Sequence, residues 1–352
     1  MCIIIKVFCI QNSIHKFKLW KRAEEVCLEK DIKIFLRYYK KPELKATSYD
    51  TLYRTAENYV FPYLGLRDTE QVTAFEVIDL LELLKKKYSM STVKKVYGLL
   101  KMFYAFAVEQ KIVSKDIIQS ISCKDPNQNL RPKVKAFTID EVQRFQRVAL
   151  KKDSDGNYIS YYGPLLVLYL HTGCRLGELI ALEREQDYDY EKQKICIHSD
   201  IETIGTFDDY GNRVKGCKII KQMSPKSKNS NRDIYLNDIS EMCLRYYYLR
   251  SLRNNSKALI PAAKHVQKFA SPSSVQSAFY NICRHAGITP SGGVHVLRHS
   301  YATHLIKNKE DIKVVSRMLG HKSIKVTMDT YYHLFEEEVS KANQILDRVF
   351  AY

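Results

Sequence analysis

At 352 residues the chain is too long for a single typical core and comfortable for two domains. Its formal net charge of +17 only adds self-repulsion to a folded protein unless a polyanion is the partner, and nucleic acid is a better candidate than an anionic membrane surface. Nine cysteines, an odd number with no CxxC pair, argue against a disulfide framework and a thiolate metal site, and fit a reducing cytoplasm.

Residues 1–24 show no clear period and form an N-terminal extension of unclear role. The apolar run at residues 3–10 is interrupted by Lys6, is too short to span a bilayer and has no small-residue cleavage site after it, so no membrane segment is expected. Residues 25–122 are expected to be helical. From Ser48, the side chains of Leu52, Ala56, Tyr59 and Val60 fall on one face until Phe61-Pro62-Tyr63-Leu64-Gly65 breaks the pattern. Thr73-Ala74-Phe75 opens a second helix, which runs through Leu84 into Lys85-Lys86-Lys87. The clearest helix is predicted from an N-cap at Ser91 to Glu109, with Val93, Val96, Leu100, Phe103 and Ala107 as its buried stripe. Thr92, Lys94, Lys95 and Lys101 lie away from that stripe, on a face that is either merely solvated or turned to a ligand.

Residues 123–136, polar and containing Pro126 and Pro132, are expected to be an interdomain linker. Thr138-Ile139-Asp140-Glu141 then has the signature of a capping box. Residues 137–352 are expected to be mostly helical, with one β-rich insertion. Strands at 194–198, 218–220 and 232–236 are predicted to form one small antiparallel sheet, its last two strands joined by a polar tip, 224–230, that carries Lys226. The expected fold is thus mainly α in two domains, the first helical and the second mixed α/β with a small antiparallel sheet.

Four segments of the second domain stand out. They are His171-Thr172-Gly173-Cys174-Arg175-Leu176-Gly177-Glu178-Leu179, the tip with Lys226, His295-Val296-Leu297-Arg298-His299, and Leu319-Gly320-His321 followed by Thr330-Tyr331-Tyr332-His333. Singly, each has an ordinary explanation: a helix junction, a solvated lysine, packing histidines, packing tyrosines. His295 and His299 stand one helical turn apart, as metal ligands can, but the glutamate of an HExxH site is absent, and neither a metal nor another cofactor is expected.

Together, in this order and spacing, the segments resemble the tyrosine recombinases (the integrase family). The resemblance covers the catalytic domain from about residue 137 onward and, less specifically, a helical core-binding, SAM-like domain upstream. It implies cleavage of DNA by Tyr331 through a 3′-phosphotyrosyl intermediate, with Arg175 and Arg298 clamping the non-bridging oxygens. Lys226 would be the general acid, with Lys228 as the alternative. His295 would bond the phosphate or assist proton transfer, and His321 would add a donor. Glu178 would orient the site or serve the fold; His299 and His304 would pack. The same chemistry follows from need: a phosphodiester exchange requires an in-line nucleophile, neutralised phosphoryl oxygens and a protonated leaving oxygen. Arginine meets phosphate in two-point fashion but is a poor acid.

The implied partners are double-stranded DNA at specific sites, with Thr92, Lys94, Lys95 and Lys101 facing a groove, a homo-oligomer in a tetrameric synapse, and an accessory excision factor. An amphipathic terminal helix, with Val339, Ala342, Leu346 and Val349 on one face, would dock on its own domain or on a neighbouring protomer. Integration and excision of a mobile element is the leading expectation. A Xer-like resolvase of chromosome or plasmid dimers is the second, and a catalytically silent DNA-binding protein the third.

Overall fold

The computed structural model describes residues 27–124, 135–208, 212–223, 231–332 and 334. The chain divides into two compact units, and the first is not one stretch of sequence: it joins residues 1–131 with the segment 204–219.

In the first unit, α1 (Leu28–Ile34) continues through a π-helical stretch, Phe35–Lys40, and is followed by α2 (Ala46–Tyr59), α3 (Ala74–Lys87) and α4 (Met90–Glu109). Helix α3 starts in a capping box, in which Thr73 Oγ1 accepts from the Glu76 N–H at 3.3 Å and Glu76 Oε2 accepts from the Thr73 N–H at 2.9 Å. Its final lysines suit the negative end of the helix dipole. Helix α4 begins two residues before the expected cap. Ser89, not Ser91, is the N-cap, its hydroxyl accepting the Thr92 N–H at 3.4 Å, because Ser91 already has helical backbone and is exposed. Val93, Val96, Leu100, Phe103 and Ala107 are fully buried as the stripe predicted, and Phe103 meets Phe35 edge-on at 5.8 Å. Truncating such a ring to alanine costs about 3–5 kcal/mol.

The segment 204–219 completes this unit. Phe207 lies 5.0 Å from the ring of Tyr49 and 5.1 Å from that of Tyr53, and Arg213 Nε donates to the buried Asp50 at 2.9 Å. Gly205 permits the approach, since a Cβ there would stand 2.4 Å from Asp50 Oδ1.

In the second unit, α5 (Ile139–Ala149) starts in the expected capping box at Thr138. Helix α6 (Gly163–Thr172) is buried nearly all round and packs against α5, α8 (Asp238–Arg253), α9 (Pro272–His285) and α10 (His295–Lys307). Short α7 (Leu176–Ile180) follows α6, and α11 (Ile312–Leu319) and α12 (Ile324–Tyr331) close the described chain around a small cluster of Ala302, Ile306, Val315, Leu319 and Tyr331.

The strands pair differently from expectation. β1 (Tyr188–Asp189), β2 (Lys194–Ile197) and β5 (Arg232–Tyr235) form one antiparallel sheet in the order β1-β2-β5, with Ile195 opposite Ile234. β4 (Arg213–Met223) pairs instead with β3 (Asp200–Phe207), a strand not anticipated, in a separate two-stranded sheet. Opposed buried isoleucines hold β5 to β2, and the extra strand supplies β4 with its own partner. The predicted Lys226 tip lies outside the described residues, as do the N-terminal extension, the linker residues 125–134 and the terminal helix after Tyr331.

Candidate active site

Helix α6 must stop so that Arg175 can leave the core, and Gly173 stops it in the left-handed region at φ +61°. A Cβ at Gly173 would sit 2.3 Å from the Tyr301 ring, so glycine is required for space as well as for conformation. Arg175 then caps α7. Its N–H and its Nη1 each donate to Glu178 at 2.7 Å, and its Nη2 donates to the Gly320 carbonyl at 3.2 Å.

Arg298 projects from α10 and is buried, donating from Nη1 to the Gly173 carbonyl and from Nη2 to the Leu319 carbonyl, both at 2.7 Å. Burial and the charge of Arg175 lower its pKa from the ordinary arginine value, although an arginine remains charged at neutral pH. A third arginine, Arg232 on β5, enters the same cluster and reaches Glu178 at 2.9 Å. For Glu178, burial works against ionisation, yet the bonds and charge of Arg232 and the Arg175 N–H outweigh it and hold the carboxyl below its usual range.

His295, the first residue of α10, has Nδ1 2.7 Å from the hydroxyl of Tyr169, which is itself fully buried on α6. His321, just after α11, has Nδ1 2.7 Å from the Thr327 hydroxyl. Burial and the nearby arginines depress both imidazoles, His321 to about 4, so both are neutral near pH 7. Each Nδ1 is thus engaged by a hydroxyl, which leaves Nε2 as the ring nitrogen open to a ligand.

Tyr331 ends α12, buried and stacked on His299. Burial pushes its phenol up to about 12, while the charge of Arg298 pulls the other way. Tyr332, its neighbour, is exposed. The structure therefore distinguishes the two tyrosines by environment, and it brings Arg175, Glu178, Arg298, His295 and His321 into one electrostatic cluster, with Arg298 also acting on Tyr331. Lys226 and Lys228 lie outside the described residues. His304 bonds the Phe137 carbonyl at 2.8 Å and packs.

Residues 135–338 match the model of the phage integrase family, and residues 33–123 match that of the phage integrase central domain. The chain belongs to the phage integrase family. It is a site-specific DNA recombinase, an enzyme of the tyrosine recombinase class. A XerC-like tyrosine recombinase of Caldanaerobacter subterraneus is 27% identical over 275 residues, covering 74% of this chain and 67% of that protein. The XerD recombinase of Mycobacterium leprae is 25% identical over 279 residues, covering 75% of this chain and 78% of that protein. In fold, the recombinase resembles the integrase of the transposon Tn1549, solved with a circular intermediate DNA, at TM-score 0.64 and 17% identity over 87% of this chain and 95% of that one. It also resembles lambda integrase, solved as a dimer on a COC′ core site, at TM-score 0.61 and 14% identity over 92% of this chain and 85% of that one.

In the recombinase's first unit, Lys94, Lys95 and Lys101 are exposed on α4 and Thr92 is half-buried. Sequence reasoning missed Arg232 and Tyr169. Tyr169 sits inside the apolar run Pro164-Leu165-Leu166-Val167-Leu168-Tyr169-Leu170, where an aromatic reads as core. Arg232 opens a strand after a polar tip, where an arginine reads as solvated. No helix among the described residues is long and apolar enough to cross a membrane.

Proposed function

We propose that this recombinase integrates and excises a mobile element by attack of Tyr331 on a DNA phosphate. The phenol oxygen bonds to phosphorus and the bond to the 5′ oxygen breaks, leaving a 3′-phosphotyrosine and a 5′-hydroxyl. The phenolic proton passes to a nearby base, and Lys226 gives a proton to the leaving oxygen. Arg175 and Arg298 bind the two non-bridging oxygens, while His295 and His321 donate from Nε2. Strand transfer is the reverse attack by another 5′-hydroxyl, so the bond energy is conserved and no nucleotide cofactor is consumed.

The observation that carries this assignment is the pair Arg175 and Arg298, whose guanidiniums donate to the neighbouring carbonyls of Gly320 and Leu319. Two forks held side by side match the two non-bridging oxygens of one phosphate. DNA at a specific site is the partner, held in a tetrameric synapse, with an accessory factor directing excision. The DNA-contact face of α4 includes Thr92, Lys94, Lys95 and Lys101. The cytoplasm is the compartment that suits this substrate and nine cysteines without a CxxC pair.

The mobile-element role is supported by the β-rich insertion of β3 and β4, which lengthens the chain beyond a minimal resolvase and of which residues 204–219 are counted with the first unit. Dimer resolution is favoured instead by the identity of 25–27% to Xer recombinases. A nicked suicide duplex carrying the sequence that flanks the gene tests the chemistry. Wild type should form a covalent adduct that Tyr331→Phe loses and Tyr332→Phe retains; absence of adduct from wild type would sink the assignment. In cells, excision of the flanked DNA as a circle supports the element role. Resolution of plasmid multimers without such excision supports the Xer role.

A further inference from the structure

Three consecutive carbonyls at the end of α11 each take a different guanidinium. Met318 accepts from Arg232 Nε at 2.9 Å, Leu319 from Arg298 Nη2 at 2.7 Å, and Gly320 from Arg175 Nη2 at 3.2 Å. The last carbonyls of a helix have no intrahelical partner and carry its negative end, so they are natural sockets for cations. Two of these arginines are the ones assigned to the phosphate. The third has no such role.

The Arg232 side chain is only 6% exposed, and all three of its nitrogens donate to protein acceptors, which leaves none turned to a phosphate. Its acceptors on Met318 and Glu178 belong to the machinery around it, and the buried Cys174 thiol lies beside them. Besides the Met318 carbonyl, Arg232 holds both carboxylate oxygens of Glu178, from Nη1 at 3.2 Å and Nη2 at 2.9 Å. Glu178 Oε1 is shared, since Arg175 Nη1 donates to the same atom at 2.7 Å. The approach of Arg232 depends on Gly320, where a Cβ would lie 2.6 Å from Nη1.

We propose that Arg232 is a positioning residue for phosphoryl transfer, holding the Glu178 carboxylate and the α11 carbonyl row so that Arg175 and Arg298 present fixed, uncompensated charge to the scissile phosphate. Without Arg232, the buried carboxylate has Arg175 as its remaining guanidinium partner and neutralises it. With Arg232, three guanidiniums and one carboxylate leave two net positive charges. A phosphodiester carries one negative charge and develops more on its non-bridging oxygens as the phenol adds, so the net charge of the cluster is matched to the transition state. The inference rests on the assignment of Arg175 and Arg298 to the phosphate.

The competing explanation is that Arg232 only cements the fold, as a buried ion pair does. Substrate charge separates the two. Single-turnover adduct formation is measured on the nicked duplex with an ordinary scissile phosphate, and again with a methylphosphonate there, which lacks the negative charge. The variants are Arg232→Lys, Arg232→Met and the double variant Arg232→Met with Glu178→Gln, each checked for thermal melting and duplex binding.

Arg232→Met should be slowed ~10²-fold on the phosphate, in the range for loss of one electrostatic support, and ~10-fold or less on the methylphosphonate. The double variant, with two net positive charges restored, should outrun Arg232→Met by about tenfold on the phosphate. Arg232→Lys keeps the charge and should lie between wild type and Arg232→Met, which preserves the test if the methionine variant is unstable. Equal losses on both substrates, no loss on either, or a double variant no faster than the single would overturn the proposal. Wild type that forms no adduct at all would instead bring down the underlying assignment.

Discussion

The ring of Tyr331 lies almost parallel to that of His299, with 15° between the planes and 5.1 Å between the centroids. The proposed nucleophile is thus part of the small core formed by α10, α11 and α12, not a side chain waiting in solvent. A phenol held at about 12 is overwhelmingly protonated at neutral pH, and its reactive fraction rises about tenfold per pH unit below that value. Adduct formation in single turnover should therefore climb between pH 6.5 and 9 without levelling off. A plateau near pH 7 would show that DNA resets the phenol. His299→Ala should also lower stability by about 0.5–1.5 kcal/mol through loss of the ring pair, read from thermal melting.

His321 gives a separate pH dependence, in stability rather than rate. Its folded-state value is about 4, below the 6.5 of an unfolded histidine, because burial and three arginines resist the imidazolium. Between those values the unfolded chain takes up a proton that the native state refuses, so unfolding gains as pH falls. The contribution is fully present above about 6.5 and is lost on acidification toward 4. His295 shifts in the same direction. The melting temperature of wild type should fall between pH 7 and pH 4.5, and His321→Asn should fall less over the same interval. An unchanged pH dependence in the variant would place His321 in a more solvated setting.

The exposed lysines of α4 make a prediction about salt. If Lys94, Lys95 and Lys101 contact phosphates, each alanine substitution should reduce the slope of log affinity against log salt by about 0.9 for duplex DNA. The triple substitution should then flatten the slope by about 2.7 with little change in melting temperature, since none of the three is buried. A filter-binding titration between 50 and 200 mM salt decides it, and an unaltered slope would leave these lysines as a solvated face.

What was legible in the sequence was whatever has a local period or a fixed spacing. The α4 stripe from Val93 to Ala107 and the capping box at Thr138 rest on neighbours within a few turns, and both are in the structure. Arg175, Arg298, His295 and His321 were legible because short motifs mark them, and the fold collects them into one cluster. Arg232 was not, because its importance lies in Glu178 and Met318, which are 54 and 86 residues away. The seating of Phe207 and Arg213 on α2 was equally hidden, since Arg213 and Asp50 stand 163 residues apart. The pairing of β5 with β2 was hidden as well, since β4 lies in a separate sheet with β3, an unforeseen strand.

Two glycines should respond in opposite directions to the same substitution. Gly320 has φ +65°, in the left-handed region, and a Cβ there meets Arg232 at 2.6 Å, so Gly320→Ala is penalised by backbone strain and by displacement of a buried guanidinium. The expected cost is about 1–3 kcal/mol, and adduct formation should drop further than stability because the carbonyl row carries all three arginines. Gly98 lies inside α4 with nothing within 4 Å of its Cβ position. There, alanine fits the helix and removes freedom from the unfolded chain, so Gly98→Ala should stabilise by about 0.4–1 kcal/mol with the adduct rate unchanged. Thermal melting and the suicide-substrate assay on both variants check the contrast, and a Gly320→Ala enzyme with the wild-type rate would show that the arginines do not depend on that turn.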